Sequence, residues 1–260
     1  MSPEGPGSVL AGKKALVSGI DNASSIAYGC AKAFKEWGAD LALTYLNEKA
    51  KVSVAPLAEE LGARVFMPLD VSKPGELEAL FEGIGKEWGR LDVLVHSLAF
   101  APKEDLQGGL LNCSADGFAK AMDISCHSFI RMARLAAPLM KDGGTLLTMT
   151  FHGASKIVPN YNVMGPVKAA LESVCRYLAY ELGPMKIRVH AVSPGPLRTR
   201  AASGLRDFDA LLNEAASRAP LRELVDIMDV GYACAYLASP FARHLTGETF
   251  YVDAGVNIMA

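Results

Sequence analysis

Tyr161 and Lys168 stand seven residues apart in "PNYNVMGPVKAAL", residues 159 to 171. A phenol is a neutral hydrogen-bond donor, whereas an ammonium carries three donors and a full charge. On one wall of a cleft the two can polarise a developing oxyanion and hold a hydroxyl-rich ligand. A helix turns through about 100° per residue, so seven positions leave both side chains within about 20° of one face and about 10 Å apart along the axis. Pro166 disturbs that regularity, because it cannot donate to the carbonyl of Asn162. Tyr161 is then expected just ahead of the first full turn. Such a pair also arises by chance, so its surroundings decide whether it is chemistry.

The pair follows an apolar run, "GTLLTMT" (144–150), which is one of seven. The others are "KALVSG" (14–19), "DLALTY" (40–45), "ARVFMPL" (63–69), "LDVLVHS" (91–97), "IRVHAVS" (187–193) and "ETFYVDAG" (248–255). Near-continuous apolar runs of this length suit strands of a parallel sheet covered on both faces. Segments of helical period alternate with them, including "SSIAYGCAKAFKEWG", Ser114 to Lys141, Val163 to Gly183 and "VDIMDVGYACAYLAS". Gly38 and Gly62 are placed as left-handed helix ends, and Ser72 with Pro74 suits a helix start. Strict alternation predicts an α/β fold: a single Rossmann-type, doubly wound, seven-stranded parallel sheet with helices on both faces. Residues 1–12 are expected to be a flexible leader and 13–260 one domain. The stretch 195–220 is too long for a simple crossover and is read as either an irregular connection or a substrate lid.

Composition narrows the class. The 260 residues are 50% hydrophobic and 21% charged, with a formal net charge of −2. No Lys/Arg cluster of the kind a nucleic-acid or membrane-surface binder needs is present, and no apolar run reaches membrane-spanning length. Five scattered cysteines without C-x-x-C spacing suggest reduced thiols in a cytoplasmic protein, and dispersed histidines argue against a metal.

Several motifs fall at carboxyl ends of strands, the edge where open α/β sheets bind ligands. "SGIDNASSIAYG" follows the first with a glycine, a polar turn and a helix start, a geometry suited to pyrophosphate, although it is not G-x-G-x-x-G. "LDV" (69–71) ends the third with an aspartate able to accept from an adenine amine. "HSLAF" (96–100) ends the fourth with small residues, and "SPGPLRT" (193–199) ends the sixth with turns. Each alone is ordinary turn chemistry. The ordered set points to a dinucleotide, with Lys168 towards its ribose and Tyr161 further out, over a substrate.

The strings "SSIAYG", "HSLAFAP", "PNYNVMGPVKA", "SPGPLRTRAASG" and "TGETFYVDAG" carry a closer likeness. From about Gly12 to Ile258 the chain resembles the short-chain dehydrogenase/reductase superfamily, and within it the NADH-dependent enoyl-[acyl-carrier-protein] reductases of bacterial type II fatty acid synthesis. The commoner carbonyl reductases of that superfamily place Tyr and Lys four apart. Beyond the fifth apolar run of this chain no tyrosine has a lysine four residues on. The resemblance implies that Gly19, Ser25 and Ile26 line the pyrophosphate, Leu46 the adenosine, Asp70 and Val71 the adenine, and Leu98 the ribose. It implies that Lys168 binds the nicotinamide ribose, and that Leu197, Arg198, Thr199, Arg200 and Ala201 close over the cofactor. Ala101, Phe151 and Tyr161 would meet the acyl thioester, with Tyr161 donating to the enolate oxygen. The implied partner is an enoyl group on acyl carrier protein, with Arg198, Arg200 and Arg206 as docking candidates, and the implied assembly is a homotetramer.

Three positions depart from the family pattern. Phe151 stands where many relatives have a second tyrosine, and His152 beside it is expected to be exposed and idle rather than a replacement donor. Ala99 replaces a glycine and adds a methyl beside the nicotinamide pocket. Leu46 replaces a polar residue, and the "NEK" that follows has no arginine for a 2′-phosphate, which favours NADH, although Lys49 is near. Two other readings stand beside the enoyl reductase. One is a short-chain reductase acting on a carbonyl, and the other is a non-catalytic NADH-binding scaffold.

Overall fold

The computed structural model describes residues 9–199 and 208–259. Its centre is a seven-stranded sheet with every pairing parallel, in the order β3-β2-β1-β4-β5-β6-β7. The strands are β1 (Lys14–Ser18), β2 (Asp40–Tyr45), β3 (Val65–Pro68), β4 (Val93–His96), β5 (Gly144–Met149), β6 (Ile187–Pro194) and β7 (Thr249–Val252). Each lies within or a residue beyond its apolar run. The chain reverses direction across the sheet between β1 and β4, which opens a crevice at their carboxyl ends.

Both faces of the sheet are apolar because successive side chains alternate. Leu16 of β1 and Leu94 of β4 enter one core, while Ala15, Val17, Val93 and Val95 enter the other. The first core is covered by α3 (Glu76–Trp88), α5 (Ala115–Met122), α6 (Ser128–Ala136) and α7 (Met164–Leu182), with Leu106 of the short α4 (Lys103–Gln107) packed against it. The second is covered by α1 (Ile26–Glu36), α2 (Glu48–Glu60) and α9 (Ile227–Ala238). Burying each leucine-sized side chain contributes about 1.5–3 kcal/mol, so this two-sided core holds the crevice rigid.

Local chemistry sets the helix ends. Gly38 and Gly62 adopt φ of 94° and 62°, as left-handed caps require. α2 is capped by Asn47 and α9 by Asp226, each accepting from first-turn amides. The start of α3 differs from expectation. Its cap is Gly75 at φ 87°, while Ser72 instead donates to Asp70 in the turn after β3. The long Ser114–Lys141 segment is not one helix, since a π-helical turn over Asp123–His127 separates α5 from α6. Cys30, Cys126, Cys175 and Cys234 are buried free thiols, and Cys113 is half-buried.

The stretch 195–220 contains α8 (Phe208–Arg218), with Arg198 ion-paired to Asp209 at 2.8 Å. Arg200, Ala201 and Arg206 lie outside the described residues, as does most of the proposed leader. Among the described residues, no helix is long and apolar enough to cross a membrane.

Candidate active site

At the switch point the chain approaches itself closely. Gly19 leaves β1 at φ 99°, and an added Cβ there would lie 2.0 Å from the Ser97 carbonyl oxygen at the end of β4. Only glycine satisfies both the left-handed backbone and that contact. The turn then feeds α1, whose cap Ser25 directs its hydroxyl to the Asn22 carbonyl (2.7 Å) and gives no side-chain cap to the first turn. That first turn also has no acidic residue. Unlike α2 and α9, α1 therefore presents its N-terminal amides and positive dipole end to the crevice, the arrangement that suits a phosphate. Gly29 and Gly231 hold this helix in place, since an added Cβ on either would meet backbone of the facing helix, at 2.1 Å and 2.4 Å respectively.

The other cofactor candidates sit at neighbouring strand ends. Leu46 is exposed just after β2. Asp70 Oδ1 accepts from the Ser72 amide (3.0 Å) and hydroxyl (2.6 Å), so its carboxylate shapes the turn that would receive an adenine. Arg131 of α6 donates to the Val71 carbonyl at 2.9 Å and pins that turn from the opposite side. Arg131 carried no signal in the sequence beyond being a charge on a helix. Leu98 and Ala101 are half-buried after β4, where Ser125 of the π turn both accepts from Phe100 N (2.9 Å) and donates to Phe100 O (3.1 Å). Leu197 is buried, and the Thr199 amide donates to its carbonyl at 2.8 Å. Leu46, Asp70 and Val71 thus lie on the β2–β3 side, with Tyr161, Phe151 and Ala101 on the β4–β5 side. The α1 N-terminus lies between them, which is the spread an extended dinucleotide needs.

Lys168 is 5% exposed and its Nζ donates to the carbonyl of Met149, the last residue of β5, at 2.7 Å. Among the described residues, Met149 is the acceptor that it meets, which leaves two donors of the ammonium for a ligand. Burial lowers its pKa to about 8, against the raising influence of Cys126 and Glu172. Tyr161 does precede the helix, because α7 begins at Met164, so the rotation of an ideal helix does not relate the pair. Instead Asn160 and Asn162 take left-handed φ values of 66° and 43°, and Asn162 Nδ2 donates to the Leu106 carbonyl at 2.6 Å. The Tyr161 ring packs edge-on to Phe151 (centroids 5.1 Å) and against Gly153, where a Cβ would clash with it. Burial, with the charge of Glu172 second, raises the phenol's pKa well above its ordinary value, so it stays protonated as a donor.

One histidine differs from expectation, and a second has a role that the sequence did not signal. His152 is not exposed. It is half-buried and stacked on Phe151 (4.4 Å), with burial chiefly lowering its pKa, so it is neutral at pH 7. His96 is fully buried between Thr148 Oγ1 (2.8 Å) and Ser128 Oγ (2.7 Å), and burial with the nearby Lys168 charge lowers its pKa to about 3. It is a neutral strut joining β4, β5 and α6. Tyr28 and Tyr45 each have a lysine four residues on, Lys32 and Lys49. Neither supplies a rival pair, because Tyr28 bonds Glu60 (3.0 Å) and Tyr45 packs on Phe66, both on the β2–β3 side.

The family model for "Enoyl-(Acyl carrier protein) reductase" matches residues 19–257. The enoyl-[acyl-carrier-protein] reductase [NADH] of Rickettsia felis is 45% identical over 251 residues, covering 96% of each chain. The enzyme of that name from Salmonella typhimurium is 42% identical over 252 residues, again covering 96% of each. Among solved structures, the Anaplasma phagocytophilum reductase in complex with NAD superposes with a TM-score of 0.94 at 45% identity over 97% of both chains. The Bacillus cereus reductase, with NADP+ and an indole naphthyridinone, gives 0.95 at 42% identity over 97% of this chain and 99% of that one.

Proposed function

The chain belongs to the enoyl-(acyl carrier protein) reductase family, and we infer that it reduces the C2–C3 double bond of a trans-2-enoyl thioester on acyl carrier protein. NADH, when bound, supplies the hydride delivered to C3. The residues present suit that cofactor: uncapped amides of α1 for its pyrophosphate, and a buried ammonium with donors to spare for its ribose. Gly19, Ser25 and Ile26 would line the first, Asp70 and Val71 the adenine, and Leu98 and Lys168 the nicotinamide ribose.

Tyr161 carries the chemical step at the substrate. Reduction at C3 pushes negative charge onto the thioester oxygen, and the phenol donates to that oxygen as the charge forms. A neutral, protonated donor fixed beforehand is more effective than one that must reorient. Its seating between Phe151 and Gly153 fixes the ring, while Asn162 ties the turn to Leu106 in the segment after β4. Ala101, at the start of that segment, and Phe151 supply apolar walls for the acyl group. The observation that carries this reading is the pairing of a seated phenol with Lys168 across the end of β5, at a spacing other than Tyr-x-x-x-Lys.

The test is NADH oxidation with a trans-2-enoyl thioester beside a 3-ketoacyl thioester. Turnover of the enoyl substrate alone is expected. Turnover of the ketoacyl substrate alone would move the protein to carbonyl reduction, and tight NADH binding without either would make it a scaffold.

We propose a homotetramer as the working assembly. Large apolar side chains on the outer surface support it: Tyr177 and Tyr180 of α7 are 75% and 86% exposed, and Ile258 in the C-terminal tail is 74% exposed. Light scattering at micromolar concentration should give four times the 27.6 kDa chain mass. A monomer would refute it.

A further inference from the structure

Three consecutive residues at the end of β5 touch three groups of the segment that follows. Met149 O accepts from Lys168, Thr150 Oγ1 donates to Glu172 Oε1 at 2.7 Å, and the Phe151 ring meets Tyr161. Two of these contacts belong to the site already described. Glu172 belongs to no role assigned so far, yet it is a half-buried carboxylate four residues beyond Lys168, one turn along the same face of α7. Thr150, which holds it, is 5% exposed.

We propose that Glu172 is a positioning residue for the reaction, its carboxylate clamped by Thr150 so that it keeps the buried Lys168 ammonium charged. This rests on the assignment of Lys168 to the cofactor ribose. Among the described residues, the charged and titratable groups around Glu172 are few. Lys168, Cys175 and Arg176 share its helix, Cys126 faces Lys168 from the π turn, and Tyr161 lies in the turn before α7. His96 of β4 is neutral beside Lys168. Cys126 and Cys175 are thiols whose pKa values are pushed up by burial, so they carry no charge near pH 7. Among the described residues, Glu172 is therefore the carboxylate that offsets the ammonium. Burial raises the pKa of Glu172 as well, against Thr150, Arg176 and Lys168, so the clamp is what favours its ionised form.

The consequence has a definite sign. Lys168 titrates near 8 with Glu172 present, and Glu172 acts on it in the raising direction. Without that carboxylate the ammonium loses its proton at lower pH, inside the neutral range. The phenol of Tyr161 also moves down, from a value far above neutrality, and remains a donor.

The experiment is a pH titration of the Lys168 side chain by NMR on protein labelled at lysine Cε, the resonance being assigned by its loss in Lys168→Arg. Wild type, Glu172→Gln, Glu172→Asp and Thr150→Val are compared. Glu172→Gln keeps an acceptor for Thr150 and removes only the charge. Its Lys168 midpoint should fall by about one pH unit, a tenfold change in the ionisation constant, with Glu172→Asp nearer wild type and Thr150→Val between. The ratio of kcat for Glu172→Gln to wild type should fall about tenfold between pH 6.5 and the alkaline side of the midpoint. An unchanged midpoint in Glu172→Gln overturns the proposal, and so does a kcat ratio that is flat with pH. A shifted midpoint in a protein whose wild type turns over no enoyl thioester would instead refute the reductase reading while leaving the clamp supported.

Discussion

Replacing Tyr161 with phenylalanine is expected to lower kcat for the enoyl thioester by about 100-fold or more while leaving NADH affinity and folding intact. A preorganised donor to a forming oxyanion typically stabilises the transition state by about 3–4 kcal/mol, and the variant removes that donor alone. The ring contacts survive, because Phe151 and Gly153 touch carbon atoms of the Tyr161 ring. Among the described residues the phenol is not tied into a hydrogen-bond network, so its loss leaves no buried partner orphaned. The melting temperature should stay within about one or two degrees of wild type, since substitutions that break no named feature usually fall within ±0.5 kcal/mol. The pH profile adds a second check. The raised pKa of the phenol keeps it protonated throughout the working range, so the alkaline limb of wild-type turnover belongs to Lys168 and must persist in the variant. Steady-state kinetics and fluorescence titration with NADH measure both quantities. A variant with kcat within a few fold of wild type would remove Tyr161 from the chemistry.

The fold was legible because its signals are strong and repeated. Seven apolar runs, with a helical segment between each one and the next, leave few topologies under the right-handed crossover rule, and the sheet follows them almost residue for residue. Local turn chemistry was less legible. Ser72 and Pro74 look like a helix start, yet Gly75 at φ 87° provides it while Ser72 serves Asp70. The π turn of Asp123–His127 left no mark at all, because its residues keep helical periodicity on both sides and the extra residue is absorbed by packing against α7.

The candidate site was suggested in the sequence by residues whose types are uncommon for their place. A tyrosine and lysine after a buried strand, a glycine after the first strand and a serine before the first helix each suggest a chemistry by their identity, and the fold brings them to the carboxyl edge of one sheet. What stayed hidden depends on partners distant in sequence. Glu172 becomes informative only once Thr150, 22 residues earlier, is seen to hold it, and Asn162 only once Leu106, 56 residues away, accepts its amide. His152 was misplaced for the same reason. Its polarity suggests solvent, but the ring stacks on Phe151 and is half-buried, and that burial chiefly lowers its pKa.

Lys168→Met should produce the opposite of the usual core-charge deletion: a more stable protein that binds NADH poorly. An ammonium at 5% exposure that titrates near 8 rather than 10.5 is held charged at neutral pH against its surroundings. A shift of that size corresponds to about 3 kcal/mol. Methionine fills similar volume without the charge, and losing the hydrogen bond to Met149 O gives back about 1 kcal/mol, so a net gain of about 2 kcal/mol is expected at pH 7. For a chain of this length that raises the melting temperature by about 4–8 °C. The pH dependence follows from linkage. Between the folded value near 8 and the unfolded value near 10.5, the wild-type unfolded state binds the extra proton. Wild-type stability therefore rises with pH through that window, and the advantage of the variant disappears across it. Against this, two donors from a charged group vanish from the ribose site. Hydrogen bonds to charged groups contribute about 1.5–3 kcal/mol, so NADH affinity should fall by about 10- to 100-fold and kcat/KM with it. Thermal melts from pH 6 to 10.5, alongside calorimetric NADH titration, separate the two effects. A variant less stable than wild type at neutral pH would show that the ammonium is stabilised in place by its neighbours, and unchanged NADH affinity would take Lys168 out of the cofactor site. Both expected results together would mark Lys168 as a residue retained for binding at the expense of stability, as functional sites often require.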